Sequence, residues 1–262
     1  GIISQPDWRQ ERSIQIYGEP RLAFLVGSGN IDSMVNNYTA SKRPRRTDEY
    51  SPGGKSGFRP DRALSVYVDM VKKSYPNTPV VIGGIEASLR RFAHYDYWSD
   101  SIMPSILVDT QADMLLYGMS ETQIKTLAHG LAKGWPIHKI KDIPGTCYMS
   151  RSLPKGNKYT LISSFEEVST EKIKFAEAFQ IQSREQNPFI GSTLVQKHGD
   201  LYLVQLPPAK PLSQSEMDEL YRLPFTRTYH PRYKNAGGVP ALQEVEFSVT
   251  DHRGCFGGCS FC

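Results

Sequence analysis

The sequence predicts an α/β protein whose first half is a parallel sheet with crossover helices. Residues 21–134 repeat one unit, in which a short apolar run is followed by glycine and then by an amphipathic helix. The apolar runs lie at 21–26, 79–82 and 112–117, and a glycine directly follows each of them. Because parallel strands end at one edge of a sheet, we expect a ligand crevice at their carboxyl ends.

Helices are predicted where apolar residues recur with helical spacing. Residues 61–75 carry apolar side chains at i, i+3, i+4 and i+7 counted from Leu64, and Pro76 ends this helix. Residues 85–92 should begin a helix after the second strand. A capping box at Ser120 is predicted to open a third helix, which Gly134 closes.

The glycine turns and a basic segment beside them each have two interpretations. Backbone N–H groups at 27–29, 83–84 and 118 would suit a phosphate-bearing ligand, or the glycines serve only to make tight turns. Residues 36–59 carry six lysine and arginine residues in a long segment without an apolar pattern. This segment is either a lid or patch for an anionic substrate, or a solvated flexible loop.

A short span after the second strand concentrates polar and aromatic residues. Glu86, Arg90, Arg91 and His94 would surround a polar substrate there, since the guanidinium group suits a carboxylate or phosphate. The alternative is a helix with internal ion pairs, because Glu86 and Arg90 are spaced i, i+4. The sequence leaves both interpretations open.

Residues 136–240 differ in pattern and are expected to form an α+β connector. We predict a short strand at 146–149, a helix capped by Ser169, and a hairpin about 199–200. Ser213 should open another helix with a second capping box. The tail of this region is rich in aromatic and basic residues, but it is too short and unpatterned to indicate nucleic acid.

Three of the four cysteines stand together as Cys255-x3-Cys259-x2-Cys262. Residues 244–250 alternate apolar and polar side chains, which predicts a strand leading into this run. Soft thiolates suit an iron–sulfur cluster, zinc or copper(I). In a four-iron cubane, three cysteines leave one iron without a protein ligand, and that iron can coordinate a substrate.

Zinc and a disulfide are the alternatives for the same cysteines. A structural zinc site normally has four protein ligands, and the fourth would have to be His252 or the distant Cys147. A chain of this kind would be a non-enzymatic zinc- or ligand-binding module. A disulfide pair with one free thiol is the remaining possibility, and Cys147 by itself is expected to be a small buried residue.

The cysteine run, with Phe261 directly before its last cysteine, resembles the cluster loop of the radical S-adenosylmethionine (radical SAM) superfamily. Further segments resemble the N-terminal part of the YgiQ-type radical SAM proteins, and the similarity covers nearly the whole chain. These segments are residues 30–39, 51–54, 59–62 and 83–98.

The resemblance implies a cofactor and a chemistry. Cys255, Cys259 and Cys262 would hold a [4Fe–4S] cluster, S-adenosyl-L-methionine would bind its open iron, and Phe261 would lie near the adenine. One electron would cleave S-adenosylmethionine to a 5′-deoxyadenosyl radical, which acts on an unknown substrate. The electron would come from an external reductant such as flavodoxin or ferredoxin.

The resemblance also implies a division into three parts. Residues 1–135 would be a flavodoxin-like domain related to cobalamin-binding domains, with its start missing. Residues 136–240 would be the connector, and residues 241–262 the first strand and cluster loop of a radical SAM (β/α) barrel. None of the six histidines has aspartate two residues before it, so the usual Asp-x-His cobalamin ligand is unsupported. Cobalamin bound without a protein ligand stays open.

Composition narrows the class of protein further. The 262 residues carry a net charge of +4, which permits anionic ligands but does not indicate nucleic acid. No apolar run of about 18 residues is present, so no membrane helix is expected. The clustered cysteines favour the reducing cytoplasm over a secreted disulfide framework. The first residues do not form a signal peptide, and because both ends look cut we expect a segment of a longer chain.

Overall fold

The computed structural model describes residues 1–155, 158–250 and 253–254. The strands are β1 (Phe24–Val26), β2 (Val80–Ile82), β3 (His94–Asp96), β4 (Ser101–Met103), β5 (Met114–Leu116), β6 (Thr146–Ser150), β7 (Tyr159–Ile162), β8 (Thr193–His198) and β9 (Leu201–Gln205). The α-helices are α1 (Ser33–Asn37), α2 (Ala63–Ser74), α3 (Gly84–Leu89), α4 (Ile106–Thr110), α5 (Glu121–Ala132), α6 (Phe165–Thr170), α7 (Lys172–Arg184), α8 (Gln214–Tyr221) and α9 (Leu242–Val245). Short 3₁₀ helices lie at Glu11–Ile14, Pro52–Gly54, Ile137–Lys139 and Pro231–Ala236.

A seven-stranded sheet in the order β1-β2-β5-β6-β9-β8-β7 organises the molecule. The pairs β1/β2 and β2/β5 are parallel, with Leu25 opposite Val81 and Val81 opposite Met114. This confirms the predicted parallel strands and places the loops after β1, β2 and β5 at one edge. The helix α2 connects β1 to β2, and α5 follows β5.

The rest of the sheet is mostly antiparallel. Leu115 of β5 pairs with Cys147 of β6, and β6, β9 and β8 continue as antiparallel neighbours before β7 joins β8 in parallel. The hairpin between β8 and β9 confirms the turn predicted at 199–200. The sheet is therefore mixed, and it contains strands from both sides of the predicted boundary at residue 135. The three-part division of the chain stays a prediction.

The two faces of the sheet pack into separate cores. On β2, Val80 and Ile82 belong to the larger core together with Leu64 of α2. Val81 points to the other face and belongs to the smaller core with Leu127 of α5. This alternation follows from the strand period of two and explains why all three residues of β2 are buried. In the described part of the chain, no helix has both the length and the apolar character needed to span a bilayer.

Of the three serines predicted to cap a helix, one does so in the structure and two do not. Ser213 opens α8 with the predicted capping box. Ser120 precedes α5, but its side chain accepts no capping hydrogen bond and instead donates to the carbonyl of Gly118. Ser169 lies inside α6, and the capping box is formed by Ser164 with Glu167. The sequence alone does not show which of several nearby serines caps a helix, because the cap also depends on the backbone conformation of that residue.

The strand predicted at 244–250 is absent. The short helix α9 ends at Val245, and the described residues after it form no strand. Phe247 and Val249 are 92% and 89% exposed. A strand needs a hydrogen-bonded neighbour, and no strand of the described residues lies beside this segment. The alternation of apolar residues is therefore not sufficient to form a strand here.

Candidate functional site

A cavity of about 440 Å³ lies between α7 and the segment that runs from the end of α3 through β3. Its volume is within the range of small-molecule sites. Asp32, at the start of α1, contributes to one wall, so the cavity lies beside the loops that follow β1 and β2. The cavity is also lined by Leu89, Arg90, Arg91, His94, Asp96, Trp98, Phe175, Phe179, Gln182, Gln186 and Gln196.

Glu86 was predicted to contact substrate, but the structure does not bring it to the cavity. Its side chain is 1% exposed. One carboxylate oxygen accepts a hydrogen bond from the backbone N–H of Ser33 at 2.8 Å, and the other accepts from that of Leu64 at 3.1 Å. Glu86 therefore holds the first turns of α1 and α2 together, because these N–H groups have no partner within their own helices.

Arg90 lines the cavity and is paired with Asp32. The guanidinium contacts one carboxylate oxygen of Asp32, while the other oxygen caps α1 by accepting from the N–H of Met34 at 2.9 Å. The predicted i, i+4 pair of Glu86 and Arg90 does not form between their side chains. Arg90 instead contacts the Glu86 carbonyl at 3.5 Å. Both the partner and the orientation of Arg90 are thus set by a residue 58 positions away.

Arg91 also lines the cavity, but its guanidinium is held by groups outside it. Nε donates to Oε1 of Gln205 at 2.6 Å, and Nη1 donates to the carbonyl of Ser88 at 2.5 Å. The guanidinium carbon lies 5.1 Å from the centre of the Tyr117 ring. Arg91 therefore fastens the segment after α3 to the centre of the sheet.

His94 presents one unsatisfied nitrogen. Its Nδ1 lies 3.1 Å from the carbonyl oxygen of Phe92. A carbonyl only accepts, so Nδ1 carries the proton and donates. Burial lowers the pKa of His94 to about 4, so the ring is neutral near pH 7. Nε2 is then a hydrogen-bond acceptor, and it is buried without a partner among the described residues.

Asp96 completes the charged residues of the cavity. Arg62 donates to both of its carboxylate oxygens, at 3.2 and 2.8 Å. Burial raises the pKa of Asp96, but the hydrogen bonds from Arg62 and Ser99 outweigh this effect and lower the pKa to about 2. Asp96 is consequently a charged and fully paired group at neutral pH.

The wall formed by α7 was missed by the sequence analysis, which predicted a helix there but no site. Phe175, Phe179, Gln182 and Gln186 line the cavity. Phe175, Phe179 and Gln182 are spaced by four and three residues, which places them on one face of α7, and Gln186 lies two residues beyond the end of this helix. That mixed face was the available signal, but a half-buried helix shows the same pattern when it faces no cavity.

The basic segment 36–59 is folded against the sheet edge rather than free in solvent. Three residues of the segment are buried, namely Asp48, Ser51 and Arg59. Arg43 and Arg46 are exposed, as expected for a solvated loop. Arg59 lies 3.6 Å from Asp48 and donates to the carbonyl of Ser28 at 2.7 Å.

The glycine turn after β1 makes room for Arg59. Gly29 has φ of +108°, and a Cβ there would lie 2.6 Å from the guanidinium. The turn and Arg59 line a second cavity, of about 910 Å³. A role of the segment 36–59 as a lid stays a prediction.

Comparison with known proteins then assigns the family. The family model described as "Radical SAM N-terminal" matches residues 1–248. The chain belongs to the radical SAM N-terminal family. It is 56% identical over its whole length to a UPF0313 protein of Clostridium botulinum, and 52% and 51% identical to UPF0313 proteins of Methanocella arvoryzae and Clostridium perfringens. These matches confirm the resemblance to YgiQ-type radical SAM proteins.

The chain spans about two fifths of these relatives. It covers 41%, 43% and 40% of their respective lengths. No solved structure matches it.

In this radical SAM N-terminal chain, the cysteine run lies outside the described residues. That applies to Cys255, Cys259, Phe261 and Cys262, and also to His252. The nearest described side chain is that of Arg253. It donates to Glu121, the first residue of α5, at 2.6 Å, and it lies 5.6 Å from the centre of the Tyr221 ring.

Cys147 is buried in a place that disfavours metal binding. It is 0% exposed in the centre of the sheet, as predicted for a small buried residue. Burial raises the pKa of its thiol to about 12, so the thiolate that binds metals is strongly disfavoured. Among the described residues, no group of histidine, cysteine and carboxylate side chains has the geometry of a metal site.

Proposed function

We propose that this chain is part of a radical SAM enzyme, in which Cys255, Cys259 and Cys262 hold a [4Fe–4S] cluster and S-adenosylmethionine binds the open iron near Phe261. The observation that carries the proposal is the Cys-x3-Cys-x2-Cys run directly beyond a match to the radical SAM N-terminal family over residues 1–248. When bound, the cluster would supply the electron that cleaves S-adenosylmethionine to a 5′-deoxyadenosyl radical.

The available ligands fit this cluster better than structural zinc. Zinc would need a fourth ligand, and Cys147 is buried in the sheet as a protonated thiol. Three thiolates match a cubane that keeps one iron open. The zinc-binding module thus loses one of its two possible fourth ligands, and His252 is the one left.

Residues of the folded part would position the cysteine run and the substrate. Arg253, two residues before Cys255, forms an ion pair with Glu121 at the start of α5, and α5 follows β5. This ion pair would help to position the cysteine run. Arg90, Arg91 and His94 would border the substrate in the 440 Å³ cavity. Glu86 would support that wall indirectly, because it holds the first turns of α1 and α2 together.

The remaining features belong to the same proposal. The β1-β2-β5 part would be a flavodoxin-like unit, and residues 241–262 would enter a radical SAM barrel. The enzyme would work in the cytoplasm with flavodoxin or ferredoxin as the external reductant. Cobalamin is not part of the proposal, because no Asp-x-His ligand motif is present.

The test is anaerobic reconstitution with iron and sulfide in the longer protein that continues past Cys262. Electron paramagnetic resonance of the reduced protein should show a cubane signal that changes when S-adenosylmethionine is added. Stoichiometric zinc without a cluster would contradict the proposal and favour the binding module. Replacing Cys259 by alanine should abolish the signal, whereas Cys147→Ala should leave it intact.

A further inference from the structure

The charged side chains of the 440 Å³ cavity already have partners within the protein. Arg90 is neutralised by Asp32, and Asp96 by Arg62. Arg91 has no carboxylate partner among the described residues, but its guanidinium contacts Gln205 and the Tyr117 ring, and neither residue lines the cavity. A charged ligand would lose its hydration there, and Arg91, the one cavity-lining guanidinium without a carboxylate partner among the described residues, is already engaged by hydrogen bonds to Gln205 and Ser88. The balance of charge favours an uncharged ligand.

The polar groups that remain are suited to hydrogen bonding. Nε2 of His94 is a buried acceptor without a partner among the described residues, and an N–H or O–H donor of a ligand that reaches it would satisfy it. The amides of Gln182 and Gln186 make no hydrogen bond within the described residues, and each can both donate and accept. Gln196 is different, because its amide is held by the N–H of Ala93 at 2.8 Å and the carbonyl of Ser163 at 2.9 Å. It forms a fixed wall.

The walls between these polar groups are aromatic and aliphatic. Phe175 and Phe179 face the cavity from α7, and Leu89 and Trp98 border it from the opposite segment. Flat apolar walls accept a planar ring and gain from its removal from water. The polar groups can then form hydrogen bonds with the edge of that ring.

We propose that this cavity binds an uncharged planar heteroaromatic group of the nucleobase class, which donates a hydrogen bond to His94 Nε2 and exchanges further hydrogen bonds with Gln182 and Gln186. The inference rests on the proposed function only in naming this group as part of the substrate. Binding itself needs neither the cluster nor S-adenosylmethionine.

The experiment compares ring probes of different charge in the full-length protein, with and without the reconstituted cluster. Adenine and cytosine are the neutral heteroaromatic probes, benzoate is the anionic probe, and benzylamine is the cationic probe. Dissociation constants come from ligand-observed NMR titration. We expect one or both nucleobases to bind more tightly than benzoate and benzylamine, whether or not the cluster is present.

Matched variants connect binding to the cavity. His94→Phe keeps a ring of similar shape but removes the acceptor, and it should weaken nucleobase binding about tenfold, as the loss of one buried hydrogen bond predicts. Gln182→Leu should also weaken it. His198→Phe is the control, because His198 is also buried, its nitrogens have no partner in the described part of the chain, and it does not line the cavity. It should leave the affinity unchanged.

Three results would overturn the inference. They are preferential binding of benzoate, binding of nucleobases that His94→Phe leaves unchanged, and no binding of either nucleobase up to its solubility limit in a protein that unfolds at the normal temperature. Failure of the inference is separable from failure of the proposed function, because the cubane signal is measured without any of these probes.

Discussion

Replacing Glu86 by glutamine tests whether this residue acts in the fold or in the site. The carboxylate accepts hydrogen bonds from the backbone of Ser33 and Leu64, and its side chain is almost completely buried. Glutamine keeps one acceptor oxygen and turns an NH₂ group toward the other N–H donor. Losing a charge-assisted hydrogen bond and leaving a buried donor unsatisfied should lower the free energy of unfolding by about 3 kcal/mol.

The assay is urea-induced unfolding followed by circular dichroism, with Glu216→Gln as the matched control. Glu216 also receives two hydrogen bonds at a helix start, at 2.8 Å from the N–H and 2.7 Å from the hydroxyl of Ser213, but it is exposed. Glu216→Gln should therefore lower the free energy of unfolding far less than Glu86→Gln. If Glu86→Gln unfolds like the wild type yet loses nucleobase binding, the structural role of Glu86 is refuted.

Three further predictions concern two buried histidines, the Arg253–Glu121 ion pair and Cys147. Burial lowers the pKa of His94 and of His198 to about 4, so each stabilises the fold fully above the unfolded-state pKa of about 6.5. That stability is lost as the pH falls toward 4, by about 2 kcal/mol for each histidine at pH 5, and urea titrations at pH 7 and pH 5 should show it. On the proposed function, Arg253→Gln and Glu121→Gln should each lower the iron content after reconstitution severalfold, because they break the ion pair of Arg253, two residues before Cys255. Cys147→Ala should keep the full iron content, measured by the same colorimetric iron assay.

Each of these predictions has a distinct contradictory outcome. Phenylalanine at position 94 should flatten the dependence of stability on pH, so an unchanged slope would show that His94 is charged or solvated in the folded state. Full iron content in Arg253→Gln would show that the Arg253–Glu121 ion pair does not position the cysteines. Loss of iron in Cys147→Ala without loss of stability would make this thiol a cluster ligand after all.

Local patterns in the sequence predicted the elements whose signals lie within a few residues. The strand β2 is a β-branched run bounded by glycine, and α2 has its apolar residues at helical spacing. The hairpin between β8 and β9 follows from the turn residues Gly199 and Asp200. The grouping of three cysteines is likewise visible in the order of residues, because all three lie in the short stretch 255–262.

Tertiary structure decided what those elements contact. Glu86 and Arg90 are spaced for a helical ion pair, yet their actual partners come from α1, α2 and Asp32. The apolar alternation at 244–250 forms no strand, because a strand requires a hydrogen-bonded neighbour that its own sequence does not contain.

The cavity shows the same division between local and distant information. The sequence placed Arg90, Arg91 and His94 within one short segment, which local order determines. Only the folded chain brings α7 opposite them and buries Nε2 of His94. Such pairings depend on the packing of residues far apart in the chain, and no local spacing specifies which surfaces will meet.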